Sequence, residues 1–246
     1  MAYNWNWSVF FDPVYSGATT TFLDWLVEGF QWTVMLSLSA WIVALVIGSI
    51  MGVLRTVPNR FLSGIATVHV EVFRNIPLLV QLFFWYFVLP ELLPSSVGVA
   101  WKQTHPLFQQ FTSALVCLGL FTSARVAEQV RAGINSLPKG QKNAGLALGF
   151  TLSQTYRYVL TPMAFRIIIP PLTSEFLNIF KNSAVATTIG LIELSRQAQQ
   201  IVDYSAQPYE AFIAVTLMYL LINVIVMFLM RRLENSVRVP GLLGGK

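Results

Sequence analysis

The stretch EQVRAGINSLPKGQKNAGLALG, residues 128–149, decides the fold of this chain because it is polar and lies between two long apolar segments. Its pattern predicts the end of one helix, a turn, and a short helix from about Gln141 to Leu148 that ends at Gly149. Small and apolar side chains, among them Ala144, give that helix one face suited to apolar contacts. A helix of this length is marginal alone, so we expect it to dock against a partner.

The composition indicates an integral membrane protein. Of the 246 residues, 55% are hydrophobic and 11% are charged, and the mean hydropathy is +0.61. About a quarter of the residues of a soluble domain are charged. The single cysteine, Cys117, cannot support a disulfide framework, and His69 and His105 stand far apart, so we predict no metal site. The formal charge of +5 is expected to set membrane orientation and not to bind nucleic acid.

Five apolar windows are long enough to cross a bilayer, which needs about 20 residues per span. The predicted fold class is therefore all-α, with five transmembrane helices in a single transmembrane domain and a helical loop between the third and fourth spans. The spans cover residues 29–54, 67–93, 107–130, 162–183 and 209–231 of a domain that comprises 1–246, and the loop covers 131–161.

The basic residues alternate between loops in a way that predicts orientation. Three segments are rich in them: the first loop has Arg55 and Arg60, the third has Arg131, Lys139, Lys142 and Arg157, and the tail has Arg231, Arg232, Arg238 and Lys246. The second and fourth loops hold only Lys102 and Arg196, beside Glu91, Glu193, Asp203 and Glu210. The positive-inside rule then places the N-terminus outside and the C-terminus in the cytoplasm.

The polar helix resembles the loop through which ABC-importer permeases contact their ATPase subunits, written E-A-A-x3-G-x9-I-x-L-P. Gly149 and Pro162 have the spacing of that pattern, whereas Asn143, Gly145 and Thr161 depart from it. An ordinary amphipathic loop helix at the membrane surface remains the alternative. The resemblance implies an ATPase-docking set of Gln141, Asn143, Ala144, Gly145, Leu146, Ala147, Leu148 and Gly149.

The second predicted span contains FRNIPLLVQ at residues 73–81. This run resembles the F-R-x-x-P-L-L-x-Q signature of permeases for polar amino acids. Polar groups at membrane depth usually face a cavity or the protein interior, so Arg74 and Gln81 are candidates for a substrate pathway. Arg74 could instead pair with Glu71, three residues earlier, in a structural or gating role.

Arg125, near the end of the third predicted span, is a candidate for substrate selection. The wider amino-acid permease family commonly has an aromatic residue there, and an arginine resembles the branch that carries glutamate and aspartate. A guanidinium suits carboxylates because it stays charged and offers a planar bidentate fork. An ion pair with Glu128, three residues later, is the structural alternative.

The fourth predicted span carries a polar stripe at helical spacing, formed by Glu175, Asn178 and Asn182. Small and β-branched residues at 183–190, ending in Gly190, predict a break in the helix. The start of this segment resembles the family pattern K-[DN]-[ST]-[SA]. The candidate pathway residues here are Glu175, Lys181, Asn182 and Ser183.

Together the resemblances imply a permease subunit of an ATP-driven importer for acidic amino acids in the bacterial inner membrane. They imply a second homologous permease subunit, two ATPase subunits and a periplasmic amino-acid-binding protein as partners. This chain would then be no enzyme and hold no cofactor, because ATP and Mg would be bound by the ATPase subunits. The alternative is an ion-coupled secondary transporter or channel for small polar solutes, but such proteins often show inverted repeats, and five unequal spans show none.

Overall fold

A computed structural model describes residues 3–237, and within them every long element is a helix. The tail charges Arg238 and Lys246 lie outside the described residues. The helices are α1 Phe22–Leu54, α2 Arg60–Asn75, α3 Leu78–Leu92, α4 Ser95–Lys102, α5 Pro106–Ser136, α6 Lys139–Ala147, α7 Leu152–Thr155, α8 Thr161–Ser183, α9 Leu194–Ser205 and α10 Pro208–Val237. Tight 3-10 helices occupy Trp7–Phe11 and Ala184–Ile189, and π-helical turns occupy Phe84–Val88 and Tyr156–Leu160.

In the described part of the chain, α1, α5 and α10 are each long and apolar enough to cross a membrane. The pair of α2 and α3 qualifies as a fourth span if the two helices are taken together. Helix α8 occupies the fourth predicted interval, but it carries Arg166, Glu175 and Lys181 within 23 residues. The predicted count of five spans is therefore not confirmed, although the all-helical class is.

The second predicted span, 67–93, is divided by a sharp bend between α2 and α3. Ile76 leaves the helix with φ −86° and ψ 131°, because a residue before proline is disfavoured in the helical region. Pro77 then has no N–H to continue the hydrogen-bonded ladder. The helix axis turns by 105° at this point.

The described residues fall into two compact units, and each unit draws on three separate parts of the chain. The first unit contains the described residues up to Ala40, together with Leu78–Leu118 and Ile179–Ile225. The second contains Trp41–Pro77, Gly119–Asn178 and the described residues from Val226 onward. The single permease domain stays a prediction.

In the second unit, small residues let α1 pack directly on α5. A Cβ atom added at Gly48 would lie 2.6 Å from the Ser123 carbonyl oxygen, and one at Gly52 would lie 2.6 Å from Val130 Cβ. These distances are too short for any side chain. Two glycines four residues apart on a membrane helix favour such a close contact between helices.

Large apolar side chains on α1 point away from this contact. Ile42, Val46 and Ile50 follow one another at intervals of four residues and are all more than half exposed. This distribution reverses the pattern of a soluble protein, since small residues face inward and bulky ones face outward. It is the distribution expected of a helix that packs on protein with one face and on lipid with the other.

We expect Gly52→Ala to destabilise the protein, because the added methyl would meet both Val130 and the Ala127 carbonyl. Overpacking of this kind costs about 1–3 kcal/mol. Gly64→Ala is the matched control, since Gly64 lies in α2 with nothing within 4 Å of an added Cβ. Removing a helical glycine there should be neutral or stabilising by about 0.5–1 kcal/mol. Thermal unfolding in detergent measures the stability of both variants. Equal midpoints for the two variants would contradict the packing of α1 on α5.

Candidate functional site

In the second unit, the carboxylate of Glu128 forms ion pairs with three arginines. Glu128 of α5 accepts a hydrogen bond from Arg55, which directly follows α1, and lies 3.4 Å from an Nη atom of Arg74 at the end of α2. Its second oxygen accepts a bond of 3.2 Å from Nε of Arg131, one turn further along α5. The ends of α1 and α2 are thereby joined to the middle of α5.

These pairings differ from both local pairs suggested by the sequence. The carboxylate of Glu71 accepts a hydrogen bond of 2.8 Å from the Asn75 side chain, and the acidic partner of Arg74 is Glu128. Pairing of Arg125 with Glu128 is likewise wrong, since Arg125 contacts a different carboxylate. Charges on a single helix can be matched by spacing, but these partners come from different helices.

Arg125 lies beside Glu175, and both belong to the second unit. An Nη atom of Arg125 is 3.9 Å from Glu175 Oε2, and the guanidinium stands 5.0 Å from the centre of the Phe121 ring. The Glu175 side chain is 11% exposed, whereas that of Arg125 is 42% exposed. The pair is thus an ion pair at contact distance, with its cation open to solvent or ligand and its anion buried.

Two polar atoms of this pair retain unused hydrogen-bonding capacity. Arg125 Nε and Glu175 Oε2 are buried and have no hydrogen-bond partner within residues 3–237. Buried polar atoms are usually paired with protein or water. These two atoms therefore lack the partners that buried polar atoms usually have, whereas the Arg125 side chain as a whole is 42% exposed.

The first unit contains the other candidates of the predicted pathway. Gln81 is 4% exposed, and Ser183 is fully buried with its hydroxyl donating to the Phe180 carbonyl at 2.7 Å. Asn182 is half-buried and lines a crevice with Leu78, Cys117 and other apolar residues, and Lys181 is exposed. Gln81, Lys181, Asn182 and Ser183 thus belong to one unit, and Arg74, Arg125 and Glu175 belong to the other.

The predicted break after Ser183 is present. The chain tightens into the 3-10 helix Ala184–Ile189 and leaves it through Gly190 at φ 88°, a left-handed conformation that glycine adopts without strain. The polar segment 181–183 therefore lies at the end of α8, directly before irregular backbone.

Glu193, counted from sequence as a loop charge, is in fact fully buried. It begins α9 by accepting the backbone N–H groups of Ser195 and Arg196, and the Tyr219 hydroxyl donates to it at 2.7 Å. Burial raises the pKa of the Glu193 carboxyl, and the donated hydrogen bonds oppose that rise. A negative charge is favoured at a helix N-terminus, so an acidic residue directly before a helical stretch was the available sequence signal for this cap.

The short polar helix is confirmed as α6. Gly149 has φ 88°, and the Phe150 N–H reaches back to the Gly145 carbonyl at 3.1 Å, which closes the helix as a glycine-dependent C-terminal turn. Leu146 and Leu148 are 42% and 78% exposed. Together with the exposed Ala144 and Ala147 they form an apolar surface, here called the α6 face.

Gly145 does not contribute to that face, although the sequence placed it in the docking set. It is buried, and a Cβ added to it would lie 2.9 Å from Thr155 Cγ2. Its lack of a side chain lets α6 rest against α7. Gln141 is half-buried, whereas Asn143 and Gly149 are exposed beside the α6 face.

Comparison with known proteins places these features in a family. The model of the binding-protein-dependent transport system inner membrane component matches residues 44–239. The chain is 56% identical over 247 residues to the glutamate/aspartate import permease protein GltJ of Escherichia coli (strain K12), with 100% of both chains covered. It is 34% identical over 214 residues to the glutamine transport system permease protein GlnP of the same strain, covering 87% of this chain and 93% of the relative.

Solved structures show the same fold. An amino acid ABC transporter crystallised with histidines superposes with a TM-score of 0.73 and 28% identity, covering 89% of this chain and 99% of that one. The inward-facing MetNI methionine ABC transporter superposes with a TM-score of 0.71 at 22% identity, over 87% of this chain and 96% of that one. The chain therefore belongs to the family of binding-protein-dependent transport system inner membrane components.

Proposed function

We propose that this chain is a transmembrane subunit of an ATP-driven importer that carries glutamate and aspartate across the bacterial inner membrane. The observation that carries the proposal is its 56% identity, over the full length of both chains, to a glutamate/aspartate import permease. Identity of that extent over both chains favours the same class of substrate. The ion-coupled alternative has no comparable support.

The partners follow from the family and from the α6 face. The family description names a binding-protein-dependent transport system, and we propose a periplasmic amino-acid-binding protein as the partner of this chain. The complex would contain two ATPase subunits that bind ATP and Mg, one of which would dock on the α6 face, and a second homologous permease subunit would complete the membrane part. An exposed apolar surface on an otherwise polar loop is suited to such docking.

The proposed orientation puts the N-terminus in the periplasm and the C-terminus in the cytoplasm. Lysine and arginine are frequent in the segments that adjoin α6 and sparse in those around α4 and α9. The positive-inside rule therefore places α6 on the cytoplasmic side, where ATPase subunits would reach it.

The Arg125–Glu175 pair supplies a physical basis for binding an acidic amino acid. The substrate carries an ammonium and two carboxylates, so it needs at least one cation and one anion in a site that partly excludes water. The exposed guanidinium of Arg125 would receive a carboxylate, and Glu175 would receive the ammonium. At 3.9 Å the two side chains contact each other without a tight hydrogen bond, which lowers the cost of exchanging partners.

Replacement of Arg125 tests this binding role. In assembled complexes we expect Arg125→Ala to reduce the efficiency of glutamate uptake roughly tenfold to a hundredfold, the range of one or two charge-assisted hydrogen bonds. Arg125→Lys should restore it only in part, because an ammonium keeps the charge but loses the bidentate geometry. Kinetics of labelled glutamate uptake into proteoliposomes provide the measurement.

The double variant Arg125→Ala with Glu175→Gln separates binding from folding. Removing Arg125 alone leaves a buried charge unpaired, which is itself destabilising, whereas the double variant leaves none. The double variant should assemble normally and still transport poorly. If either variant assembles and transports glutamate with unchanged kinetics, Arg125 serves packing alone.

The α6 face provides the test of ATP dependence. We expect glutamate uptake to require ATP and to be abolished by Leu148→Asp, since a carboxylate at a 78% exposed leucine would have to be desolvated on docking. Gly140→Asp is the matched control: it adds the same charge to the first turn of α6, where an acidic residue favours the helix. Co-purification of the ATPase subunits and uptake are measured together. Uptake driven by an ion gradient without ATP would instead establish the alternative function.

A further inference from the structure

Helix α6 packs against the rest of the second unit with the side opposite to the α6 face. Gly145 faces Thr155, which is fully buried and donates its hydroxyl to the Thr151 carbonyl at 3.0 Å. There is no room at Gly145 for even a methyl group without moving Thr155. Movement of α6 would therefore displace Thr155, and with it the next residue in the chain, Tyr156.

That next residue, Tyr156, makes a contact across 100 positions of sequence. Its hydroxyl donates to the Thr56 carbonyl at 2.7 Å, and its side chain is buried. Thr56 lies in the turn after α1, with its own N–H bonded to the Val53 carbonyl at 2.9 Å. The hydroxyl of Tyr156 thus connects the end of α1 to the segment that follows α6.

Thr56 lies next to the charged residues Arg55, Arg74, Glu128 and Arg131, here called the Glu128 cluster. Thr56 directly follows Arg55, and Arg55 donates to Glu128, the carboxylate that also contacts Arg74 and Arg131. Displacement of the Thr56 carbonyl would move the Arg55 backbone as well, because Arg55 is the preceding residue and is covalently joined to Thr56. The ends of α1 and α2 would follow, since both are joined to Glu128.

We propose that the Tyr156 hydroxyl is a positioning group that transmits movement of the α6 face, through Thr56 and Arg55, to the Glu128 cluster. The inference rests on the proposed function, since it assigns a route between ATPase docking and the membrane helices. Tyr156 touches neither substrate nor nucleotide in this account. It sets how much transport each ATP hydrolysed produces.

The test compares two tyrosines that lie two residues apart. Tyr156→Phe removes only the hydroxyl that holds Thr56 and keeps the buried ring. Tyr158→Phe removes the same group from a side chain that is 59% exposed. The complex with its ATPase subunits and binding protein is reconstituted in proteoliposomes, and glutamate imported and ATP hydrolysed are measured together.

We expect Tyr156→Phe to lower the ratio of glutamate imported to ATP hydrolysed about fivefold, the factor that one net hydrogen bond represents. Tyr158→Phe should keep the wild-type ratio. Thr155→Ser is the second variant: it retains the hydroxyl that bonds Thr151 but removes the methyl facing Gly145, and it should lower the ratio in the same direction.

The outcomes separate this inference from the proposed function. Absence of ATP-driven glutamate uptake by the wild-type complex would overturn the function. With normal wild-type uptake, a wild-type ratio in Tyr156→Phe would overturn the transmitting role of its hydroxyl, even if less complex assembled, because a purely structural role changes amount and not ratio. An equal fall in Tyr158→Phe would overturn it as well.

Discussion

The second unit depends on one carboxylate. Glu128 faces three guanidinium groups, from Arg55, Arg74 and Arg131, and these come from the end of α1, the end of α2 and α5 itself. Ionised groups taken out of water are costly unless they are paired. The cluster therefore pairs the largely buried Arg55 with an acidic partner and connects two helix ends to a third helix. Close approach of α1 and α5 at Gly48 and Gly52 brings these charges within reach.

Features that depend on neighbouring residues could be predicted from the sequence. Helix α6 and its end at Gly149 follow from local capping chemistry, and the break after Ser183 follows from small residues and Gly190. The close contact at Gly48 and Gly52 follows from their spacing of four residues. In each case the determining groups lie within about two helical turns.

Features that depend on distant residues could not be predicted in this way. Spacing on one helix suggested Arg125 with Glu128, but the partner, Glu175, lies on another helix. Hydropathy windows gave a single span at 67–93, because they average over residues and contain no information on the direction of the helix axis. The chain bends by 105° at Pro77. Glu193 was read as an exposed loop charge because its donor Tyr219 is 26 positions away. Gly145 matched a docking pattern, and only the position of Thr155 shows that it faces inward.

Because Glu128 connects α1, α2 and α5, the thermal stability of Glu128→Gln is the most direct test of its role in the second unit. The Glu128 side chain is 21% exposed, and hydrogen bonds to a charged group contribute about 1.5–3 kcal/mol, so the thermal unfolding midpoint of Glu128→Gln in detergent should fall below that of the wild type. Glu71→Gln is the matched control, because Glu71 is exposed and accepts a hydrogen bond from Asn75 of the same helix. That control should unfold at the wild-type midpoint. Equal midpoints for Glu128→Gln and Glu71→Gln would contradict the account.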